Sequence, residues 1–503
     1  MIILVNPRAT RPKNRRFPLS VMAIGAVLPE GTPWEIVDGN CPGVDPYREI
    51  AARIEHAAGS RDPVHAVAMT VMPGPQLVSA VPLARRLKER FPSIPIVWGG
   101  YFPSLYPRPA LNAPYVDWIV RGQGEQTFVE LLDVLTGRRD PVTIAGLGFQ
   151  VGSTASLGPE RHWSGPDAFP PPPYAKIDVD QYLHSTFLGR RNAVYQTSIG
   201  CPYSCNFCGV ISAFGSREKW EDPSRTAQNL SYLVERHGVD AVHFYDNNFF
   251  LREDHAAELC SRLIPLGLSW WCEARIDAML RFGDATWRTI KRSGLKMVFF
   301  GAESGSDERL RKMAKRLTTA QTVAVAEQTR AYGIVPEFSF VLGDPEDPED
   351  DINTTLAFIR KLKTVNPDAE IITYFYTPTP QRRGTYGRVD PLAGTPDTLE
   401  EWIEPDWVGW MTHEDPLVPW LPQRLKARVE DFELVLKSRF PSIHDTRTQK
   451  WGKALAKLLA KRRWDAERYD NLGLLRRVRQ WAALPHPDPQ AYGHLRPATN
   501  RGA

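Results

Sequence analysis

Three cysteines stand within eight residues, Cys201-Pro202-Tyr203-Ser204-Cys205-Asn206-Phe207-Cys208, spaced CxxxCxxC. Thiolates are soft ligands. Three held this close can bind three irons of a [4Fe–4S] cube and leave the fourth iron without a protein ligand. Such an iron can chelate a small molecule and pass it an electron. A structural zinc site asks for four ligands, usually in paired sets, and no second cysteine pair follows. A disulfide framework is disfavoured, because six cysteines in 503 residues are sparse. The opening run Met1–Val5 reads as a β-strand, too short and without the basic flank of a secretory signal. The expectation is a reduced, cytoplasmic setting, which suits an oxygen-sensitive cluster. Cys41, Cys260 and Cys272 have no neighbours at metal spacing and read as small core residues.

The elements that must position these thiols follow from periodicity. At 503 residues, 42% hydrophobic and 24% charged, the chain predicts two or three domains and no bilayer-spanning run. The net charge of +4 argues for no particular partner, nucleic acid included. From Ala193 onward, strands at 193–198, 241–245, 268–273, 297–301, 335–342 and 371–376 alternate with helical segments. Six such units predict a partial (β/α)6 barrel whose site lies at the strand carboxyl ends, with the cysteine loop directly after the first strand. Before it, strands near 2–5, 34–37, 64–69, 94–98 and 116–120 alternate with helices and predict an α/β, Rossmann-like domain with a parallel sheet. A Pro/Gly-rich stretch with Pro170–Pro173 reads as a stiff linker. The expected boundaries are 1–145, 146–185, 186–390 and a mainly helical 391–503.

The cysteine spacing and the aromatic Phe207 before the last thiol resemble the radical S-adenosylmethionine (SAM) superfamily. The other strand ends carry groups suited to gripping SAM. Asp246 and Asn247 follow the second strand, where the methionine amino group would sit. Glu273 and Arg275 end the third, and a guanidinium there could hold a carboxylate as a fork. Glu303 and Ser304 end the fourth and could meet ribose. Thr377–Thr385 replaces the PGT turn common in this group, and the basic Arg382 and Arg383 within it leave substrate recognition open.

In the N-terminal domain the residues after each strand matter. A GxGxxG nucleotide fingerprint is absent, since Asn6-Pro7-Arg8 follows the first strand. Asn6 and Pro7, the acidic Asp38, Thr70, the Gly99-Gly100 turn, and the Gly122, Gly124 and Glu125 of an RGxGE segment together resemble the cobalamin-binding domain of many radical SAM proteins. The nearest string to DxHxxG, Asp62-Pro63-Val64-His65, lacks the glycine, so the resemblance implies cobalamin held without a protein histidine. The Thr70–Gly74 loop would lie under the corrin.

The resemblance implies a cobalamin-dependent radical SAM enzyme that cleaves SAM reductively and methylates an unactivated carbon through methylcobalamin. An oxidative cyclase or rearrangement enzyme, like the anaerobic magnesium-protoporphyrin ester cyclase, is the alternative. A non-catalytic iron–sulfur or cobalamin carrier is a remote one. The implied partners are a small-molecule or lipid substrate and an electron donor such as flavodoxin or ferredoxin. No general acid or base is assigned. Trp402, Trp407, Trp410, Trp420 and Tyr386 suit either an apolar lid or a packing layer. Thr448–Gln480 holds ten Lys/Arg against three Asp/Glu. Within it, Trp451–Trp464 reads as an amphipathic helix that docks on the host domain or touches an anionic membrane.

Overall fold

The computed structural model describes every residue except 12–13, 61, 153, 381–384, 391, 414, 444–449 and 483–503. The basic pair Arg382 and Arg383 therefore lies outside the described residues.

Five parallel strands begin the chain: β1 (Ile2–Asn6), β2 (Trp34–Asp38), β3 (Ala66–Thr70), β4 (Ile96–Gly99) and β5 (Trp118–Val120). Their order is β2-β1-β3-β4-β5, with helices on both faces. Near-continuous apolar strands need such double cover. Two antiparallel strands, β6 (Leu147–Val151) and β7 (Thr154–Leu157), extend the sheet beyond β5. Sequence periodicity read this stretch as the start of a linker. Gly148 sits where an added Cβ would lie 2.6 Å from Ile119, so the close pairing with β5 uses a residue that hides the strand pattern. The Leu19–Ala26 helix is likewise unannounced, because it is apolar around its circumference and shows no period.

The second unit begins with β8 (Asn192–Tyr195). A small antiparallel pair, β9 (Ser198–Cys201) and β10 (Arg217–Trp220), follows it, and then β11 (Ala241–Phe244), β12 (Ser269–Ala274), β13 (Leu295–Glu303), β14 (Val335–Leu342) and β15 (Glu370–Phe375). β8 and β11–β15 form one six-stranded parallel sheet in the order β15-β14-β13-β12-β11-β8. This is the expected open barrel, and its strands lie within about three residues of the periodicity reading. The first strand ends sooner than expected. The chain leaves the barrel after Tyr195 and enters the cysteine loop through β9, where Gly200 holds φ +85° against the Arg217 carbonyl.

The Pro-rich connector wraps the barrel. Tyr174 and Tyr182 pack edge-on against Phe17 of the first domain at 5.5 and 5.6 Å, and the Tyr182 hydroxyl donates to Asp38 at 3.0 Å. Trp402 stacks among Phe102, Tyr106, Trp407 and Trp410 in the first domain's core. Trp420 instead donates its indole N–H to the Gly343 carbonyl at the end of β14. Three of the four tryptophans thus form a packing layer. The Lys450–Asp465 helix docks Ala456, Ala460 and Trp464 inward, against Phe432 and Phe440. Cys41, Cys260 and Cys272 are buried. Among the described residues no helix is long and apolar enough to cross a membrane.

Candidate active site

Cys201 ends β9, and Cys205 and Cys208 lie on the loop from there to the Gly209–Phe214 helix, at the carboxyl end of the barrel. The loop is pinned from outside. Asn206 donates from its side chain to the Lys312 carbonyl at 2.9 Å and from its backbone to the Met313 carbonyl at 3.2 Å, and Tyr386 N–H donates back to the Asn206 carbonyl at 3.1 Å. Burial pushes the Cys201 thiol up, and burial with the neighbouring Cys205 pushes Cys208 up to about 12. Binding to iron reverses that, since a coordinating thiol is deprotonated outright. No group of three His, Cys, Asp or Glu among the described residues is arranged around a single ion. A cube takes each thiolate on a different iron, so its ligands need not converge on one point. The donor set fits a cluster.

The Asp246-Asn247-Asn248 run fastens three neighbouring strand ends. The Asp246 carboxylate is fully buried and accepts from Thr197 N–H at 3.0 Å and Thr197 Oγ1 at 2.7 Å. Asn247 accepts from Gly200 N–H at 3.3 Å, and Asn248 accepts from Arg275 N–H at 3.2 Å. Burial raises Asp246 to about 6. Glu273 points into the barrel, and burial together with Glu337 and Asp246 pushes it up to about 8. Glu303, at φ +64° where β13 ends, is ion-paired with the buried Lys315, whose ammonium lies 5.9 Å from the Phe207 ring. Ser304 accepts from Ser306 N–H at 3.2 Å. Arg275 turns toward the cysteine loop, where its guanidinium lies over Tyr203 at 3.5 Å.

Periodicity missed Glu218, on β10 opposite Gly200. Neither of its buried carboxylate oxygens finds a hydrogen-bond partner of normal geometry, and burial with nearby Asp246 lifts it to about 8. Asn248 Nδ2 is also buried without a partner. Buried polar atoms are ordinarily satisfied. Two such groups beside the cysteine loop fit the ammonium and polar groups of SAM. The alternation Arg217-Glu218-Lys219-Trp220 was the only signal of that strand. His413 was missed too. It reaches the end of β15 from the C-terminal region, hydrogen-bonds Thr377, and is pushed down to about 4 by burial.

In the first domain, Thr70, Gly99, Gly100, Gly122, Gly124 and Glu125 line a single cavity of ≈330 Å³, mostly apolar, walled on the barrel side by Ile199 and Phe214. That volume is at the lower end of small-molecule sites. Gly100 holds φ +95°, and a Cβ there would lie 3.0 Å from the Val71 carbonyl. Met72, on the loop below, is 49% exposed. No histidine lines the cavity. His65 precedes β3, at its far end, with its backbone N–H on the Met1 carbonyl. The cavity fits part of a corrinoid held without histidine. Asn6, Pro7 and Asp38 lie outside it. Asp38 accepts from Asn6 at 3.1 Å, Asn40 and Tyr182, while Gln76 donates to Asn6 Oδ1 at 2.8 Å and to the Pro7 carbonyl at 3.2 Å. Of the three, Asp38 ties the first domain to the connector through Tyr182, while Asn6 and the Pro7 carbonyl are held within the domain by Gln76.

Tyr101 lines this cavity and reaches the cysteine loop. Its ring packs edge-on with Phe214 at 5.5 Å and lies against Gly209, next to Cys208. Burial, then the proximity of Cys208 and Glu273, raises its phenol.

The comparisons agree with this layout. The model of the radical SAM superfamily matches residues 195–359, and the model of the B12 binding domain matches residues 9–132. An uncharacterized methyltransferase of Pyrococcus horikoshii is 29% identical over 290 residues, 57% of this chain and 62% of that protein. The anaerobic magnesium-protoporphyrin IX monomethyl ester cyclase of Synechocystis is 25% identical over 75% of each chain. Among solved structures, the methyltransferase TsrM of Kitasatospora setae with cobalamin and a [4Fe–4S] cluster bound superposes with TM-score 0.56 at 19% identity, over 75% of this chain and 74% of that one. OxsB with aqua-cobalamin and SAM bound gives 0.61 at 18%, over 71% and 51%. At such identities the structures speak for the fold. Matched at both domains and folded accordingly, the chain belongs to the radical SAM superfamily, in the group whose barrel follows a B12-binding domain.

Proposed function

We propose that this chain moves a methyl group from SAM, by way of cobalamin, onto an unactivated carbon of a small-molecule or lipid substrate. The observation that carries the reading is Tyr101, which lines the glycine-rich cavity and lies against Gly209, next to Cys208 of the cysteine loop. When bound, the cluster supplies an electron to the SAM sulfonium and cobalamin supplies the methyl group to the substrate. Cys201, Cys205 and Cys208 would hold the cluster. Glu218, Asn247, Glu273, Glu303 and Ser304 would meet SAM's polar groups, with Phe207 as a wall on the same side. Thr70, Gly99, Gly100, Gly122, Gly124 and Glu125 would hold the corrinoid. Tyr101, Trp163 and Phe214 exclude water between the two sites, which keeps reactive species from side reactions. A low-potential electron donor completes the system.

The cyclase relative, matched over three quarters of its length, supports the second reading: oxidation or cyclisation without methyl transfer. Incubation with methyl-labelled SAM under anaerobic reduction separates them. Label in a product other than methionine supports methylation. Deoxyadenosine formed beside an oxidised, unlabelled product supports the cyclase reading.

We further propose that the C-terminal helices rest on an anionic membrane surface. Behind the docked face of the Lys450–Asp465 helix, Trp451, Leu455 and Leu458 form a stripe exposed at 87%, 42% and 54%. Trp481 of the Gly473–Trp481 helix adds a second exposed indole, and Lys457, Lys461, Arg476 and Arg477 are exposed around them. Each such apolar side chain is worth about 1.5–3 kcal/mol when buried. The chain should sediment with vesicles containing phosphatidylglycerol and not with pure phosphatidylcholine. The triple variant Trp451→Ser, Leu455→Ser, Leu458→Ser should bind at least roughly tenfold more weakly. Equal sedimentation of the variant, or oligomerisation through the stripe without vesicle binding, would sink this proposal.

A further inference from the structure

Arg275 is only 6% exposed, and three directions of its guanidinium are already committed. Nε donates to Asp277 Oδ1 at 2.9 Å, Nη2 to the Lys315 carbonyl at 2.7 Å, and Nη1 faces Cys205 Sγ at 3.7 Å. The flat face of the group lies 3.5 Å from the centre of the Tyr203 ring, and the Tyr203 hydroxyl donates to Asp277 Oδ2 at 3.3 Å. Tyr203 and Cys205 both belong to the cysteine loop. The Lys315 carbonyl belongs to the segment that also holds Asn206 through Lys312 and Met313. One side chain thus touches the loop at two points and grips its outer support at a third.

We propose that Arg275 is a positioning residue for the iron–sulfur cluster: it clamps the Cys201–Cys208 loop for loading and, through its N–H on Cys205 Sγ, raises the cluster's reduction potential. This rests on the cluster reading above. The physical reasons are separable. Stacking on Tyr203 and the bond to Lys315 restrict the loop before metal arrives, which lowers the ordering cost of binding. A guanidinium N–H aimed at a ligating sulfur stabilises the more negative, reduced cluster, and hydrogen bonds to the sulfurs are a recognised lever on potential. Asp277 offsets part of the charge, but the directed N–H remains. Lysine cannot replace this, because a point ammonium has neither the planar face nor the fork.

The test is an EPR-monitored redox titration of anaerobically reconstituted protein without SAM, beside iron and sulfide analysis. Arg275→Gln should show about a tenfold lower ratio of reduced to oxidised cluster at fixed donor potential, about 59 mV for a one-electron couple. Arg275→Lys should fall between it and the parent. Tyr203→Leu should load iron more slowly at an unchanged potential. If Arg275→Gln does not retain a cluster, the Arg275→Lys midpoint decides: lowered supports the proposal, unchanged overturns it. Parental midpoints and loading in both arginine variants also overturn it. A parent chain that takes up no [4Fe–4S] cluster fails the cluster reading itself, a distinct result from failure of Arg275.

Discussion

Alanine at any one of Cys201, Cys205 or Cys208 should strip the cluster and stop SAM cleavage. Iron and acid-labile sulfide in anaerobically purified protein should fall together. Deoxyadenosine formation should drop by more than the roughly 10–100-fold that changes in outer-shell partners cost. The three thiols have no substitutes nearby. Cys41, Cys260 and Cys272 are buried together in one hydrophobic core cluster, and none of them is among the groups acting on Cys201 or Cys208. Alanine at those positions should cost only packing, about 1–2 kcal/mol of stability, and leave iron content intact. The reverse pattern, with iron lost from Cys260→Ala and kept in Cys208→Ala, would contradict the site.

Filling the first domain's cavity should remove cobalamin and spare the cluster. Ala23 lies on the half-exposed side of the Leu19–Ala26 helix and lines the ≈330 Å³ cavity, so a phenylalanine there projects into the space without displacing a core residue. Overfilling a fitted site costs about 1–3 kcal/mol, which is roughly a ten- to hundredfold loss of affinity. Cobalamin retained through gel filtration, read from its visible spectrum, should fall accordingly in Ala23→Phe. The [4Fe–4S] content and the melting temperature of the ligand-free chain should not move. SAM cleavage should persist while label transfer to product is lost. Parental retention of cobalamin by this variant would show that the cavity is not its seat.

Much of the fold was legible in the sequence because its strands are buried on both faces and separated by helices of clear period. The six barrel strands and the five parallel strands of the first domain carry that signal. The β6–β7 hairpin did not, since Gly148 and the turn residues around it interrupt alternation where the sheet needs close approach. The Leu19–Ala26 helix did not, since a helix apolar all round has no face to detect. Short motifs also overstate uniformity of role. Asn6, Pro7 and Asp38 stand after strands one and two as the cavity residues stand after three, four and five, yet their polar atoms meet Gln76, Asn40 and Tyr182 outside the cavity.

The spacing of three cysteines and the repetition of strand–turn–helix units are local properties, and both were fully written in the chain: thiol chemistry depends on residue type, and periodicity depends on which face each residue presents. Which polar group serves a ligand and which serves the scaffold is not local. Arg275 spends its donors on Asp277, Lys315 and Cys205, and Asp246 spends its oxygens on Thr197, only because strands distant in sequence bring those partners within hydrogen-bond reach. Among the described residues, Glu218 has only Trp220 of its own strand beside it for the opposite reason, as no strand distant in sequence brings it a hydrogen-bond partner of normal geometry. Only the tertiary structure could decide that division, because a side chain's availability is set by its neighbours in space.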